Sequence, residues 1–290
     1  MTQMKVALIG AGTMAARHAQ VVANSGSAVI AVVFDRDAAG AGTLAAEYGA
    51  AVSVSIDAVS HCDAAIIATA TPAHHEAAAA LVAAGIPVLV EKPLTASMSE
   101  TRSLIAAADM LDGALMCGFN ERFNERFVEL RERQRSTPDY VTALRTSNRP
   151  RSVHSSVIDD VLIHDLDLVL ALLSGDKVES IHATAADWDA AHSWPHSVVC
   201  ELTFSGGTIV HLEASRVAAQ RRRVLSTTTG TDRVSIDLDD APGDSLRAQW
   251  QRFVALIDHG TPAERQDERD QILRVHELAE SVRLAAFGTP

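Results

Sequence analysis

The stretch Asp159 to Leu173, DDVLIHDLDLVLALL, threads four aspartates and a histidine through a segment that otherwise reads as core. At helical spacing Asp160, His164 and Asp167 fall at i, i+4 and i+7 and share one face, while Leu162, Leu166, Val169 and Leu173 lie on another arc. The polar stripe therefore looks outward. An imidazole is the natural proton carrier near neutral pH, and a carboxylate one turn away can orient it. A plainer explanation is an aspartate-rich helix start favoured by the helix dipole, with His164 satisfied by packing. On the chemical reading Asp160 and Asp167 line a site with His164, and Asp159 and Asp165 take helix-terminus or surface roles.

Two further stretches carry chemistry. VLVEKPLT sets Glu91 and Lys92 at the end of an apolar strand, where ligands bind in open α/β sheets. Pro93 restricts Lys92 to extended geometry and can make the Lys92–Pro93 peptide cis. A lysine so held can donate to a hydroxyl or carbonyl; alternatively it is a loop lysine in solvent. The first strand runs into G-A-G-T-M-A, with Gly10 for a tight turn, Gly12 for close approach of a pyrophosphate and Ala15 for helix–sheet packing. Asp35, 23 residues after Gly12, can accept from an adenosine ribose, which favours NAD. Arg36 could instead meet a 2′-phosphate, which keeps NADP open. The competing explanation is a glycine turn that binds no dinucleotide.

The elements that must position these residues are legible as alternation. Apolar strands at 4–10, 28–34, 64–70, 88–93 and 114–119 alternate with helical stretches at 14–25, 38–49, 74–84 and 97–111. That pattern predicts parallel βαβ units, a Rossmann-type doubly wound sheet. After a charged helix at 123–135 the pattern changes. A strand at 140–148, broken by Pro150, precedes the Asp-His helix. KVESIHATAA, SVVCELTF, TIVHLEASRV, RRVLSTTT and RVSIDL follow as strands, with hairpin turns at Gly206-Gly207 and Gly230-Thr231-Asp232. Helices at 244–259 and 266–286 close the chain. The expected fold is α/β: a dinucleotide-binding domain over 1–122, then an α+β domain over 123–290 with an open, mostly antiparallel sheet. The last helices are expected to pack back on the first domain.

Composition bounds the partners. A chain of 290 residues suits one or two domains and buries roughly 75% of its unfolded surface. A net charge of −12 argues against nucleic acid or an anionic membrane. The one basic run, Arg221-Arg222-Arg223, is either a local phosphate contact or a solvated face. Cys62, Cys117 and Cys200 have no metal-ligand spacing, so no metal site or disulfide framework is expected, and a cytoplasmic setting fits. The start, MTQMKVALIG, runs straight into a strand pattern, so no signal peptide is expected, and no apolar run reaches the ~18 residues of a spanning helix.

Taken in order, G-A-G-T-M-A, Asp35, A-T-A-T-P-A-H, G-I-P-V-L-V-E-K-P, G-F-N-E-R-F and D-V-L-I-H-D-L-D resemble the glucose–fructose oxidoreductase / inositol dehydrogenase family (Gfo/Idh/MocA) over nearly the whole chain. The resemblance implies an NAD(P)-dependent oxidoreductase acting on a sugar, cyclitol or sugar derivative, and a homodimer or homotetramer formed through the C-terminal sheet. It makes Lys92 the substrate-polarising lysine, His164 the acid/base and Asp160 its partner. The implied cofactor set is Gly10, Gly12, Thr13, Met14, Asp35, Arg36, Thr69, His74, Glu91 and Lys92. The implied substrate set is Lys92, Arg122, Asp160, His164 and Asp167. The S-R-V-A-A-Q-R-R-R segment loosely resembles members acting on nucleotide-activated or phosphorylated sugars. Ala70, where many members carry proline, and Ser155-Ser156, in place of glycines, depart from the pattern and bear on the substrate. Other functions open to this fold are a catalytically inactive dinucleotide-binding regulator, an NAD-dependent glycosidase, and an imine or tetrapyrrole reductase.

Overall fold

The computed structural model describes residues 3–148, 155–189 and 194–288, so the expected break at Pro150 lies outside the described residues. The chain divides into two compact units, Met1–Phe119 with Leu246–Leu273, and Asn120–Ser245 with Arg274–Pro290.

The first unit holds β1 (Met4–Ile9), α1 (Thr13–Ser25), β2 (Ala28–Phe34), α2 (Ala38–Tyr48), β3 (Ala51–Ser53), β4 (Ala64–Ile67), α3 (His74–Ala83), β5 (Val88–Val90), α4 (Met98–Met110) and β6 (Leu115–Cys117). Its sheet has the order β3-β2-β1-β4-β5-β6, with every pair parallel. This is the expected doubly wound sheet with one addition, the three-residue edge strand β3. Strands buried on both faces need continuous apolar runs, and Ala64–Ile67 and Val88–Val90 are buried at every position. Helix starts are set by short polar side chains: Asp37 accepts from Ala39 N–H at α2, and Ser97 from Glu100 N–H at α4.

The second unit contains α5 (Glu125–Arg133), β7 (Tyr140–Thr146), α6 (Ile163–Leu172), β8 (Val178–Asp189), β9 (Trp194–Phe204), β10 (Ile209–Ser215), β11 (Arg222–Thr229) and β12 (Asp232–Asp237). Its sheet order is β12-β11-β7-β10-β9-β8. Hairpins join β9 to β10 and β11 to β12 as the glycine turns predict. The mixed sheet has one parallel pair, because β7 inserts between β10 and β11 and runs parallel to β10. Alternation puts Val198, Cys200, Leu202, Val210, Leu212, Ala214, Val141 and Ala143 on the inner face, all buried. α6 lies against β7, and the turn before it against β10. The chain ends in α7 (Ser245–Asp258) and α8 (Pro262–Phe287). Among the described residues no helix is long and apolar enough to cross a membrane.

Candidate active site

The order of the first sheet turns back at β1 and β4, and ligands of such sheets bind beyond the strand ends at that point. The β1–α1 turn lies there. Gly10 has φ +112°, and a Cβ on it would stand 2.5 Å from the Ala68 carbonyl oxygen, so conformation and neighbour both demand glycine. Gly12 has φ −80° and a Cβ there would meet nothing within 4 Å. No protein atom requires a glycine at 12; the vacant space suits a ligand. α1 begins at Thr13 without a side-chain cap, Gly12 and Thr13 are exposed and Met14 is half-buried. The N–H groups of such a helix start suit a pyrophosphate.

Asp35 follows β2 and is tied to the same turn. Its Oδ2 accepts from Ala11 N–H at 2.7 Å and its Oδ1 from Asp37 N–H at 2.8 Å. Each oxygen keeps a lone pair for a ribose hydroxyl. Arg36 beside it is exposed. The open Gly12 turn and the oriented carboxylate together fit a dinucleotide.

Beyond β4 and β5 the picture departs from expectation. His74 is 1% exposed, with Nδ1 2.9 Å from the Pro93 carbonyl oxygen and Nε2 3.1 Å from that of Thr69, which is half-buried. Glu91 is buried, its Oε1 2.8 Å from Nε2 of His18 on α1, and its Oε2 accepts from Lys92 N–H at 3.3 Å. Burial works to raise the Glu91 pKa. The His18 hydrogen bond and charge, the Lys92 charge and the Lys92 N–H outweigh it and hold the carboxyl below its usual value. Glu91 and His74, expected at the cofactor, are thus turned into the protein and committed to protein partners. Lys92 is half-buried and the Lys92–Pro93 peptide is cis. Gly118, just after β6, lets the chain pass Lys92: a Cβ there would lie 2.9 Å from both Lys92 N and Glu91 Oε2.

In the second unit, Ile158–Leu162 form a π turn that runs into α6, with Ile163 N–H donating to the Ile158 carbonyl. Such turns recur at functional sites. Asp160 and His164 are half-buried. Asp167 is fully buried and its Oδ2 accepts from Nε of Arg122 at 3.2 Å. Asp167, expected to line the site with His164, is thus enclosed and holds Arg122 of the turn that precedes α5. Asp165 also departs from its expected surface role. It is 2% exposed and takes a fork from Arg145, Nε at 3.0 Å and Nη2 at 2.8 Å. β7 alternation carries Val141 and Ala143 inward and Arg145 with them, and a guanidinium buried there needs a carboxylate.

The remaining two aspartates are likewise paired. Asp159 has the helix-terminus role: Ser156 Oγ donates to its Oδ2 at 2.8 Å, and Nη2 of Arg283 on α8 stands 2.5 Å from its Oδ1. Asp160 Oδ2 lies 3.5 Å from Nη1 of Arg216, which is 2% exposed and also donates to the carbonyls of Ser155 and Pro195. Each of the four carboxylates of the segment thus has its own arginine. Sequence reading missed His18, Arg145 and Arg216. The β10 alternation Val210, Leu212, Ala214 continues to Arg216 and points it inward, a signal available in the sequence.

Arg145 and Arg223 are direct neighbours across β7 and β11, where like charges repel. Oε1 of Glu121 accepts from both and bridges them. Burial disfavours the Arg145 charge, but Asp165 and Glu121 prevail and its pKa is raised. Arg221 and Arg223 also bind Asp239, whose carboxyl is lowered to about 2, first by the Arg221 hydrogen bond. Two arginines of the basic run are therefore in internal ion pairs, and Arg222 is exposed. Among the described residues no group of His, Cys, Asp or Glu is arranged to hold a metal ion.

Comparison with known proteins follows this geometry. Residues 4–119 match the model of an oxidoreductase family with an NAD-binding Rossmann fold (GFO_IDH_MocA), and 126–236 match the GFO/IDH/MocA C-terminal domain. The chain is 33% identical over 234 residues to the UDP-N-acetylglucosamine 3-dehydrogenase of Acidithiobacillus ferrooxidans, covering 78% of this chain and 72% of that protein. The solved structure of the Acidithiobacillus ferrooxidans enzyme superposes with a TM-score of 0.90 at 29% identity, over 99% of this chain and 98% of the other. An inositol 2-dehydrogenase of Rhizobium meliloti is 29% identical over 196 residues, 63% of this chain and 58% of that protein. Matched over both 4–119 and 126–236, this chain belongs to the GFO/IDH/MocA family of NAD-dependent oxidoreductases.

Proposed function

We propose that this oxidoreductase interconverts a secondary hydroxyl and a ketone on a nucleotide-activated sugar. The observation that carries the chemistry is the constitution of α6 and its first turn. Every aspartate there is held by an arginine, and His164 is the side chain of that segment suited to exchanging a proton near neutral pH. Gly10, Gly12, Thr13, Met14 and Asp35 would hold NAD, which would supply the hydride acceptor for the oxidation. His164 removes the hydroxyl proton as that carbon becomes a carbonyl, and returns it in the reductive direction. Lys92 donates to the same oxygen and stabilises its developing charge. Asp160, anchored by Arg216, orients the imidazole. Arg122, steadied by Asp167, contacts the substrate.

The substrate class rests on the UDP-N-acetylglucosamine 3-dehydrogenase, which aligns over more of both chains than the inositol 2-dehydrogenase does. A cyclitol is the second reading, favoured by that latter relative. The test is NADH absorbance with UDP-N-acetylglucosamine, myo-inositol and free aldoses, with wild type and His164→Ala. The variant is expected to bind NAD normally and lose roughly 10²–10⁴-fold in kcat. Undiminished turnover by it would end the assignment of His164, and turnover of inositol alone would move the substrate to the cyclitols. NADH binding without turnover of any sugar would mark a regulator, and release of free sugar without net NADH a glycosidase.

The outer face of the second sheet is our candidate surface for self-association. Val199, Glu213, Leu144 and Val224 form one cross-strand row, and Tyr140, 52% exposed, belongs to another. Light scattering of wild type and Val199→Lys tests this, a dimer or tetramer being expected for the first and a smaller species for the second. Three buried free thiols suit a reducing cytoplasm.

A further inference from the structure

The last part of α8, from Arg274 on, belongs to the second unit. Val275, Leu278, Ala279 and Val282 seat it there, spaced i, i+3, i+4 and i+7 and all buried. Arg283 follows at the edge of that stripe and is half-buried. Its guanidinium meets two carboxylates. Nη1 pairs with Glu280 one turn back, and Nη2 stands 2.5 Å from Oδ1 of Asp159. Oδ2 of Asp159 accepts from the Ser156 hydroxyl at 2.8 Å, so both oxygens are engaged. One turn beyond Arg283, the Phe287 ring meets Trp188 of β8 edge-on, with centroids 5.2 Å apart, and steadies the helix end that carries the arginine.

Asp159 lies in the π turn Ile158–Leu162. Such a turn holds one residue more than an α turn and is seldom kept without outside ties. Rewinding it to α geometry would rotate its residues about the helix axis and part Asp159 from Arg283. Asp160, the next residue, meets Arg216, which directly follows β10. Adjacent helical positions point about 100° apart, so two arginines from separate elements resist rotation of the turn in either sense. We propose that Arg283 is a positioning residue: through Asp159 it holds the π turn, and the turn sets Asp160 relative to His164. The proposal rests on the reading of His164 as the acid/base, but its first test is independent of activity.

That test is amide hydrogen exchange, read by NMR on the full chain with Arg283→Met. The Ile163 N–H closes the π turn on the Ile158 carbonyl, and the Leu173 N–H closes the far end of α6 on that of Val169. Ile163 should exchange at least about tenfold faster in the variant, with Leu173 within about threefold of wild type. Unchanged Ile163 exchange would overturn the proposal. Equal quickening at both amides would also overturn it, as a general loss of stability. In the kinetic arm Arg283→Met should lower kcat roughly tenfold while the NAD Kd moves less than about threefold, with part of the loss recovered by Arg283→Lys. A kcat equal to wild type would defeat the positioning role. Adding Asp159→Asn to Arg283→Met should cost little more, because the pair is already broken, and full additivity of the two losses would count against it. If Arg283→Met does not fold, Asp159→Asn carries the exchange test; if neither folds, the pair is a folding requirement and the assignment falls. If wild type turns over no sugar, the proposed reaction fails, and the exchange result alone decides whether Arg283 holds the turn.

Discussion

Nε2 of His18 and Oε1 of Glu91 stand 2.8 Å apart, both buried, and join the helix that leaves the nucleotide turn to the residue that precedes Lys92. Breaking such a pair strands a buried charge, so His18→Ala should cost about 3–5 kcal/mol in urea unfolding at neutral pH. The pH dependence has a definite sign. The folded pKa of Glu91 lies below its reference value of 4.5. Its contribution to stability is therefore complete above that pH and is lost as pH falls through the lower folded value. Glu91→Gln should flatten the acid limb of the stability curve, and an unchanged limb would show that the pair holds no proton-linked stability.

Arg216 fixes Asp160 and two carbonyls with one planar group, a job an ammonium does poorly. Arg216→Lys should lower kcat about tenfold with NAD affinity kept. Arg216→Met keeps the bulk and removes every donor, so its kcat should fall at least as far as that of Arg216→Lys. A kcat equal to wild type for Arg216→Met would reduce Arg216 to packing.

The sequence carried the first unit well because its strands are short apolar runs between helices. The edge strand β3 escaped because Ala51–Ser53 is three residues long and mostly exposed, with no pattern to read. In the second unit the strands were legible and their order was not: nothing local tells β7 to enter between β10 and β11. The same limit explains the aspartates. Helical periodicity gives their directions, but their partners Arg145, Arg122, Arg216 and Arg283 lie 20, 45, 56 and 124 residues away. Asp165 reads as a surface residue because unpaired carboxylates avoid the interior; only β7 shows that an arginine waits for it.

Asp35 and Arg36 are the residues we propose set the choice of nucleotide. Asp35→Ser loses the carboxylate oriented by Ala11 and Asp37, so NAD Kd should rise roughly tenfold while NADP, no longer repelled, gains with Arg36 beside its 2′-phosphate. Calorimetric titration of both nucleotides measures it. An NAD affinity that survives the substitution would remove Asp35 from the ribose.

Gly10 and Gly12 separate folding from binding. At Gly10 an added methyl meets the Ala68 backbone at a φ that L-residues avoid, so Gly10→Ala should lower the melting temperature and weaken NAD binding together. At Gly12 the methyl meets no protein atom, so Gly12→Ala should melt with wild type and still lose about tenfold or more in NAD affinity. Equal NAD binding by Gly12→Ala would place the pyrophosphate elsewhere.

Glu121 carries the last test. Its Oε1 stands between Arg145 and Arg223, neighbours across two strands whose charges would otherwise face each other. Glu121→Gln leaves that repulsion in place and removes a charge from a chain of ion pairs reaching Asp165 on α6. A loss of about 3 kcal/mol is expected from denaturant unfolding. Removing one of the two like charges should restore part of it, so Glu121→Gln with Arg223→Gln is expected to be more stable than Glu121→Gln alone. If the two losses simply add, the glutamate is not the bridge, and the placement of α6 depends on Arg145 and Asp165 without it.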